Sequence, residues 1–350
     1  MQDRLIKFWR SKRVLVTGHT GFKGSWLACI LLKLNAKVIG YSLNPDKKSL
    51  FQKINLQDKI YKNYYKNINS YKELNKVIKR NKPQVIFHLA SQPLVQYSYK
   101  NPVKTFIDNS IGTLNILEVV KNYNFIKSIV IITTDKVYKN DGRNIQFRED
   151  DDLWGQDPYS ASKVCAEQIV SSYKSSFNHE GGLRFTSVAR SGNVIGGCDH
   201  NISRIIPDIF DHIRRKKKLN VRMPDAIRPW QHVIEPTFGY ISLAQKQYNN
   251  ISLNKKNYKW NFGPEKSSFK KVSYIVNYIK KKIPFQYLTK KSNLKESKIL
   301  MLNSTKAKKQ LFWRPKLGID KTLEMTIELE QTKKGEISKI LNEQIKFYLK

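Results

Sequence analysis

Tyr159 and Lys163 stand four residues apart in DPYSASK, on one face of the segment if it is helical. An ammonium beside a phenol stabilises the phenolate, which can then remove a hydroxyl proton near neutral pH. Thr134, in the string IITTDKVYKN, falls where a β-branched run ends, and its hydroxyl can share that proton's hydrogen bond. Such a trio suits the removal of hydride from an alcohol carbon. Asp135 and Lys136 follow at once, a carboxyl beside an amine. In a chain with 18 tyrosines a Tyr-x-x-x-Lys spacing arises by chance, so its position decides the matter. It follows a glycine loop and a run ending in Thr-Asp, which favours a working site.

The elements that must hold these residues are legible as apolar, β-branched runs at 13–17, 36–43, 84–90, 128–134 and 186–196. Longer segments with helical spacing lie between most of them, notably 25–34 and 103–123. That alternation predicts an α/β fold, a doubly wound parallel sheet of Rossmann type. VTGHTGFKGSWL places Gly18, Gly21 and Gly24 after the first run and at the start of a helix. A tight turn, a close approach of backbone to a pyrophosphate, and helix–strand packing each require a residue without Cβ. The helix N-terminus then offers free N–H groups to phosphate, so a dinucleotide is expected. The second strand ends in GYSLNPDKK, with Ser42 and Asn44 where an acid usually meets the ribose of NAD. Lys47 and Lys48 could accommodate a 2′-phosphate, so the residues alone leave NAD and NADP open.

Beyond about residue 197 the alternation weakens. We expect residues 1–190 to form the dinucleotide-binding domain and 191–350 a smaller substrate-binding α/β lobe, with segments free to interleave. The net charge of +36 is the loudest compositional feature. Its lysines are spread throughout and no nucleic-acid-binding motif accompanies them, so nucleic acid is not the expected partner. No apolar run approaches the roughly 18 residues of a membrane span, and no membrane association is expected. The opening MQDRLIKFWRSKRVLVTG has no apolar stretch of signal-peptide length, and three scattered cysteines suggest neither disulfides nor a metal site. A reducing cytoplasm is the expected compartment.

The strings GHTGFKGSWL, HLASQPLVQYSY, TTDKVY, DPYSASK, GNVIGG, RIIPDI, IRPWQHV and WNFGP resemble the CDP-glucose 4,6-dehydratase family. That family lies within the extended short-chain dehydrogenase/reductase superfamily, and the likeness runs from about residue 10 to 330. It implies NAD as cofactor, a CDP-glucose-like nucleotide sugar as substrate, a homodimer, and a place in surface-polysaccharide synthesis. It further implies cofactor contacts at Gly18, Thr20, Gly21, Phe22, Gly24, Asn67, Ile68, Leu89, Ala90, Tyr159 and Lys163. Substrate contacts fall at Asn193, Arg204 and Arg228. His232 could touch the nucleotide or be a satisfied core histidine. The implied reaction oxidises C4, eliminates water across C5 and C6, and returns the hydride to C6. Relatives for other nucleotides read Thr-Asp-Glu at the strand end, the aspartate as acid and the glutamate as base. By that match Asp135 is the acid, and Lys136 sits where the base belongs.

A lysine at its ordinary pKa of about 10.4 would be useless as a base, so a neutral amine is required, with the proton held by the aspartate in a coupled pair. If Lys136 continued a strand it would point away from Asp135, into solvent. His88, Trp230 and Trp260 read as structural, and Asn109, Gly112 and Thr113 as support beside the cofactor. Three positions depart from the family pattern. Asn67 stands for an aspartate, His200 for a tryptophan, and Phe312 for a glycine. A nucleotide-sugar 4-epimerase would also use Tyr159 and Lys163 but needs no acid–base pair at C5 and C6. A non-catalytic dinucleotide sensor would commonly have lost the tyrosine or the lysine.

Overall fold

The computed structural model describes residues 2–142, 145–201, 204–249, 258–289 and 300–350. The apolar runs become strands β1 (Arg13–Thr17), β2 (Lys37–Ser42), β4 (Val85–His88), β5 (Ser128–Ile132) and β6 (Thr186–Ser191). Two further strands join them, β3 (Lys62–Tyr65) and β7 (Lys259–Phe262). The seven form one parallel sheet in the order β7-β6-β5-β4-β1-β2-β3. Every residue of β5 and β6 is buried, as helices on both faces demand. The strand order reverses at β1 and β4, and their carboxyl ends open the crevice where such sheets bind ligands.

Helix α1 (Phe22–Lys33) and helix α5 (Ile234–Asn249) cover one face, packing Trp26, Ile30 and Ile241 around Val130 and Val85. The other face carries α2, a continuous helix over 102–121, and α3 (Pro158–Phe177). Ile116, Leu117, Val120 and Val170 bury there against Ile129 and Ile131, each fully buried side chain stabilising by about 1.5–3 kcal/mol. Residues Ile107–Ile111 of α2 form a π-helical turn, an irregularity that recurs at functional sites.

A second lobe has its own core, with Ile209 and Phe210 of helix α4 (Ile205–Arg214) packed against Trp230, Ile275, Val276, Ile279 and Leu323. The interval 191–350 also sends β7 and α5 back to the main sheet. β3 and β7 escape an apolar-run reading for different reasons. β3 is the polar edge strand KNYY with no buried residue, and β7, KWNF, interrupts its aromatic residues with Lys259 and Asn261. Among the described residues no helix is long and apolar enough to cross a membrane.

Candidate active site

The glycine loop sits at the end of β1. Gly18 has φ +74, and a Cβ there would lie 2.7 Å from the Ala90 nitrogen. A Cβ on Gly24 would lie 2.1 Å from the Gly18 carbonyl oxygen, so helix and strand need that glycine to pack. Gly21 differs: a Cβ there meets only the Gly18 oxygen at 3.4 Å, leaving an open face at the helix N-terminus. This division of labour fits a pyrophosphate cradle. Thr20 and Phe22 are buried beside it, and the Thr20 hydroxyl bonds Ser42 Oγ at 2.8 Å. Leu89 and Ala90 line the end of β4, their N–H groups donating to Thr17 Oγ1. Ile68 is buried against Gly112, while Asn67 is exposed, its Oδ1 accepting from the Asn69 N–H.

Tyr159 is fixed by the start of α3. Asp157 caps that helix, accepting from the N–H groups of Tyr159 and Ser160, and Ser160 reciprocates to the Asp157 N–H. Such a cap stabilises by about 1 kcal/mol and sets the entry angle of the first turn. One turn on, the Ser162 hydroxyl donates to the Tyr159 carbonyl and accepts from Asn109 Nδ2 at 2.8 Å. Asn109 belongs to the π-turn of α2, and its Oδ1 accepts from the Gln92 N–H. The irregular turn therefore ties α2 to the helix carrying Tyr159. Deeper, the fully buried Arg190–Glu167 pair and a Thr133–Glu167 hydrogen bond join α3 to β5 and β6.

Where β5 ends, the chain does not continue as a strand. Thr134 is extended, at φ −147 and ψ 157, and caps a short 3-10 turn over Asp135–Val137, its Oγ1 accepting from the Lys136 N–H. The turn cancels strand alternation, so the Lys136 side chain turns toward Asp135. Its Nζ donates to Asp135 Oδ1 at 3.4 Å and to Asn193 Oδ1 at 3.3 Å. Asp135 is 1 % exposed and also accepts from the Thr134 hydroxyl at 3.1 Å. A Cβ on Gly192 would lie 3.0 Å from Asp135 Oδ2, so the absence of a side chain there lets the end of β6 close over the carboxylate.

Burial pushes the Tyr159 phenol up, opposed by Lys136, by a hydrogen bond to Thr134, and by Arg204. Lys163 donates to the Ile132 carbonyl at 3.4 Å, and burial pulls its amine down to about 8 despite Glu167. Arg204 holds Asp199 at 2.9 Å at the mouth of α4. The structure thus gathers Thr134, Asp135, Lys136, Tyr159, Lys163, Asn193 and Arg204. Arg228 is half-buried on the strand Ile227–Pro229, with Nη1 donating to the Ile227 carbonyl. His232 is fully enclosed, its ring edge-on to Trp26 and its Nδ1 accepting from the Ile234 N–H. Desolvation holds that imidazole neutral, with a pKa of about 3, as a core residue. His88 is likewise buried, spanning the hydroxyls of Thr17 and Thr113.

Sequence reading overlooked Lys23, Ser191 and Tyr240. Lys23 Nζ donates to Ser191 Oγ at 2.9 Å and lies 3.5 Å from the Tyr240 hydroxyl, which itself bonds Ser191. Only its place between two loop glycines set this lysine apart from the others.

A doubly wound sheet, a glycine loop after β1, and Tyr-x-x-x-Lys facing the end of β5 define the class as an extended short-chain dehydrogenase/reductase. More narrowly, the GDP-mannose 4,6 dehydratase family model matches residues 15–326, and the chain belongs to that family. It is 41% identical over 328 residues to a CDP-glucose 4,6-dehydratase of Salmonella typhimurium, covering 90% of this chain and 89% of that one. It is 24% identical to a UDP-glucose 4-epimerase of Pisum sativum, over 89% of this chain and 93% of the other. A dTDP-glucose 4,6-dehydratase of Bacillus anthracis, solved in complex with NAD, superposes with a TM-score of 0.76 at 24% identity, covering 97% and 100% of the two chains.

Proposed function

We propose that this protein is a CDP-glucose 4,6-dehydratase, converting CDP-D-glucose to CDP-4-dehydro-6-deoxy-D-glucose and water. The observation that carries the reading is the 3-10 turn setting Asp135 and Lys136 side by side, opposite Tyr159. Bound NAD supplies a hydride acceptor for C4 and a donor for C6, regenerated within each turnover. Gly18, Gly21 and Gly24 hold it, with Thr20, Phe22, Asn67, Ile68, Leu89, Ala90 and Lys163 as further contacts. Tyr159, hydrogen-bonded to Thr134, takes the proton of the 4-hydroxyl. The resulting ketone acidifies C5, whose proton passes to the Lys136 amine. Asp135 delivers its proton to the departing 6-hydroxyl, and the C5 proton later returns from Lys136. Thr134 contacts both Tyr159 and Asp135, so the proton taken at O4 has a short path to the carboxylate that must be recharged.

Asn193, Arg204 and Arg228 hold the nucleotide sugar, the arginines suiting its diphosphate. We assign NAD to residues 1–190 and the sugar nucleotide to 191–350. Val103, Ile107 and Ile111 form an exposed apolar stripe along α2, which suits a homodimer. Incubation with NAD and CDP-glucose deuterated at C4 tests the reading. Product lighter by one water with deuterium at C6 is expected. Unchanged mass with inverted C4 would make the protein an epimerase instead.

A further inference from the structure

Lys23 has no part in the chemistry above, yet its amine ends within the catalytic cluster. The groups facing it come from every neighbouring element: Ser191 from β6, Tyr240 from α5, Asp135 and Lys136 from the 3-10 turn, Lys163 from α3, and Arg204 at the mouth of α4. The residue as a whole is half-buried, with its amine held by Ser191 and Tyr240. Four cationic side chains therefore meet two carboxylates, Asp135 and the Asp199 that pairs with Arg204. Fully charged, the cluster carries an excess of two positive charges. A sugar nucleotide's diphosphate diester carries two negative ones.

We propose that Lys23 is a proton-accepting member of the ligand site, neutral in the ligand-free protein and an ammonium once the diphosphate enters, so that it selects for dianionic ligands. The inference rests on the nucleotide-sugar reading above. Burial, together with the charges of Arg204 and Lys163, brings the Lys23 amine down to about 7, so above neutral pH the free protein holds it mostly unprotonated. An arriving dianion reverses the balance, because an opposite charge nearby favours the ammonium. The proton comes from solvent and ends on Lys23 Nζ. Binding coupled to proton uptake weakens as pH rises, by up to about tenfold per pH unit for each proton taken up.

The test is calorimetric titration of the NAD-saturated protein at pH 8 with CDP, fully ionised there and so at least as anionic as the sugar nucleotide, in buffers of different ionisation enthalpy. Wild type is expected to take up protons on binding, with Lys23 as one acceptor. Lys23→Met should lose about one proton of uptake. Lys23→Arg, permanently charged, should still bind CDP and lose the same uptake, which keeps the test decisive if the methionine variant fails to fold. Uptake unchanged in either variant, or absent from wild type that binds CDP, overturns the proposal and leaves the dehydratase reading intact. Failure of wild type to bind CDP overturns both.

Discussion

Lys136→Met separates the oxidation of C4 from the elimination that follows. The Lys136 side chain is 36% exposed and holds Asp135 and Asn193 at 3.4 and 3.3 Å. Removing the amine leaves the buried Asp135 carboxyl with Thr134 as its remaining partner, which costs on the order of 1–3 kcal/mol of stability. A general base contributes about 10²–10⁴-fold to its step, or roughly 3–5 kcal/mol of transition-state stabilisation. The variant should therefore stay folded, with a somewhat lower melting temperature, while forming dehydrated product about 10²–10⁴-fold more slowly. Tyr159 and Thr134 remain, so C4 oxidation should persist, slowed by loss of the Lys136 charge that opposes burial of the phenol, and a borodeuteride quench should mark 4-keto hexose that still retains its 6-hydroxyl. In D2O, deuterium should enter C5 of the wild-type product and appear far more slowly in the variant. Lys136→Glu restores a base in the arrangement of the Thr-Asp-Glu relatives and should recover part of the rate. Dehydration by Lys136→Met at the wild-type rate would refute the assignment.

Three further outcomes follow from packing and charge. Glu235 is buried, accepts from the Lys316 and Leu317 N–H groups at 2.8 and 2.7 Å, and burial raises its carboxyl from 4.5 to about 7. Across that window the folded protein keeps a proton that the unfolded chain releases, so stability falls as pH rises, by about 3 kcal/mol in all. Glu235→Gln lacks this dependence, and denaturant titrations should show its advantage over wild type widening between pH 5 and pH 8; a constant gap contradicts the account. Phe312 sits at φ +53 with 83% of its surface exposed, so Phe312→Gly should relieve left-handed strain at little packing cost and stabilise by about 0.5–1 kcal/mol. A lower denaturation midpoint would count against it. Ile107→Glu should convert a dimer to monomers in light scattering without lowering the helical content, and an unchanged mass rules out this face.

The sequence carries the site unevenly. Tyr159 and Lys163 are readable because helical spacing alone puts them on one face, and the glycines because their missing Cβ atoms have a geometric purpose. The direction of Lys136 was not readable, since it depends on a 3-10 turn that begins where the β-branched run stops. Lys23 was hidden by composition: among 64 basic residues an amine stands out only when its surroundings are known. His232 shows the converse, a chemically able side chain that burial beside Trp26 turns into core. β3 and β7 were invisible to an apolar-run criterion because one is polar and the other alternates Lys259 and Asn261 with its aromatic residues. Their strand character comes from their neighbours in the sheet.

β7 also bears on how the chain reaches its native state. It pairs with β6 through Trp260 and Ala189, partners separated by α5 and by about half of the second lobe's core. While a ribosome is still extending the chain short of Phe262, β6 presents a bare edge, made of residues that the finished fold buries without exception. Unpaired edges of this kind are where nascent chains stick to one another. So distant a pairing raises contact order and slows the final docking. The first half, although it contains the entire glycine loop and the Tyr-x-x-x-Lys helix, is therefore a poor candidate for expression on its own. Splitting the gene at the apparent lobe boundary should yield aggregates, and restoring the chain through residue 262 is the least that closes the edge.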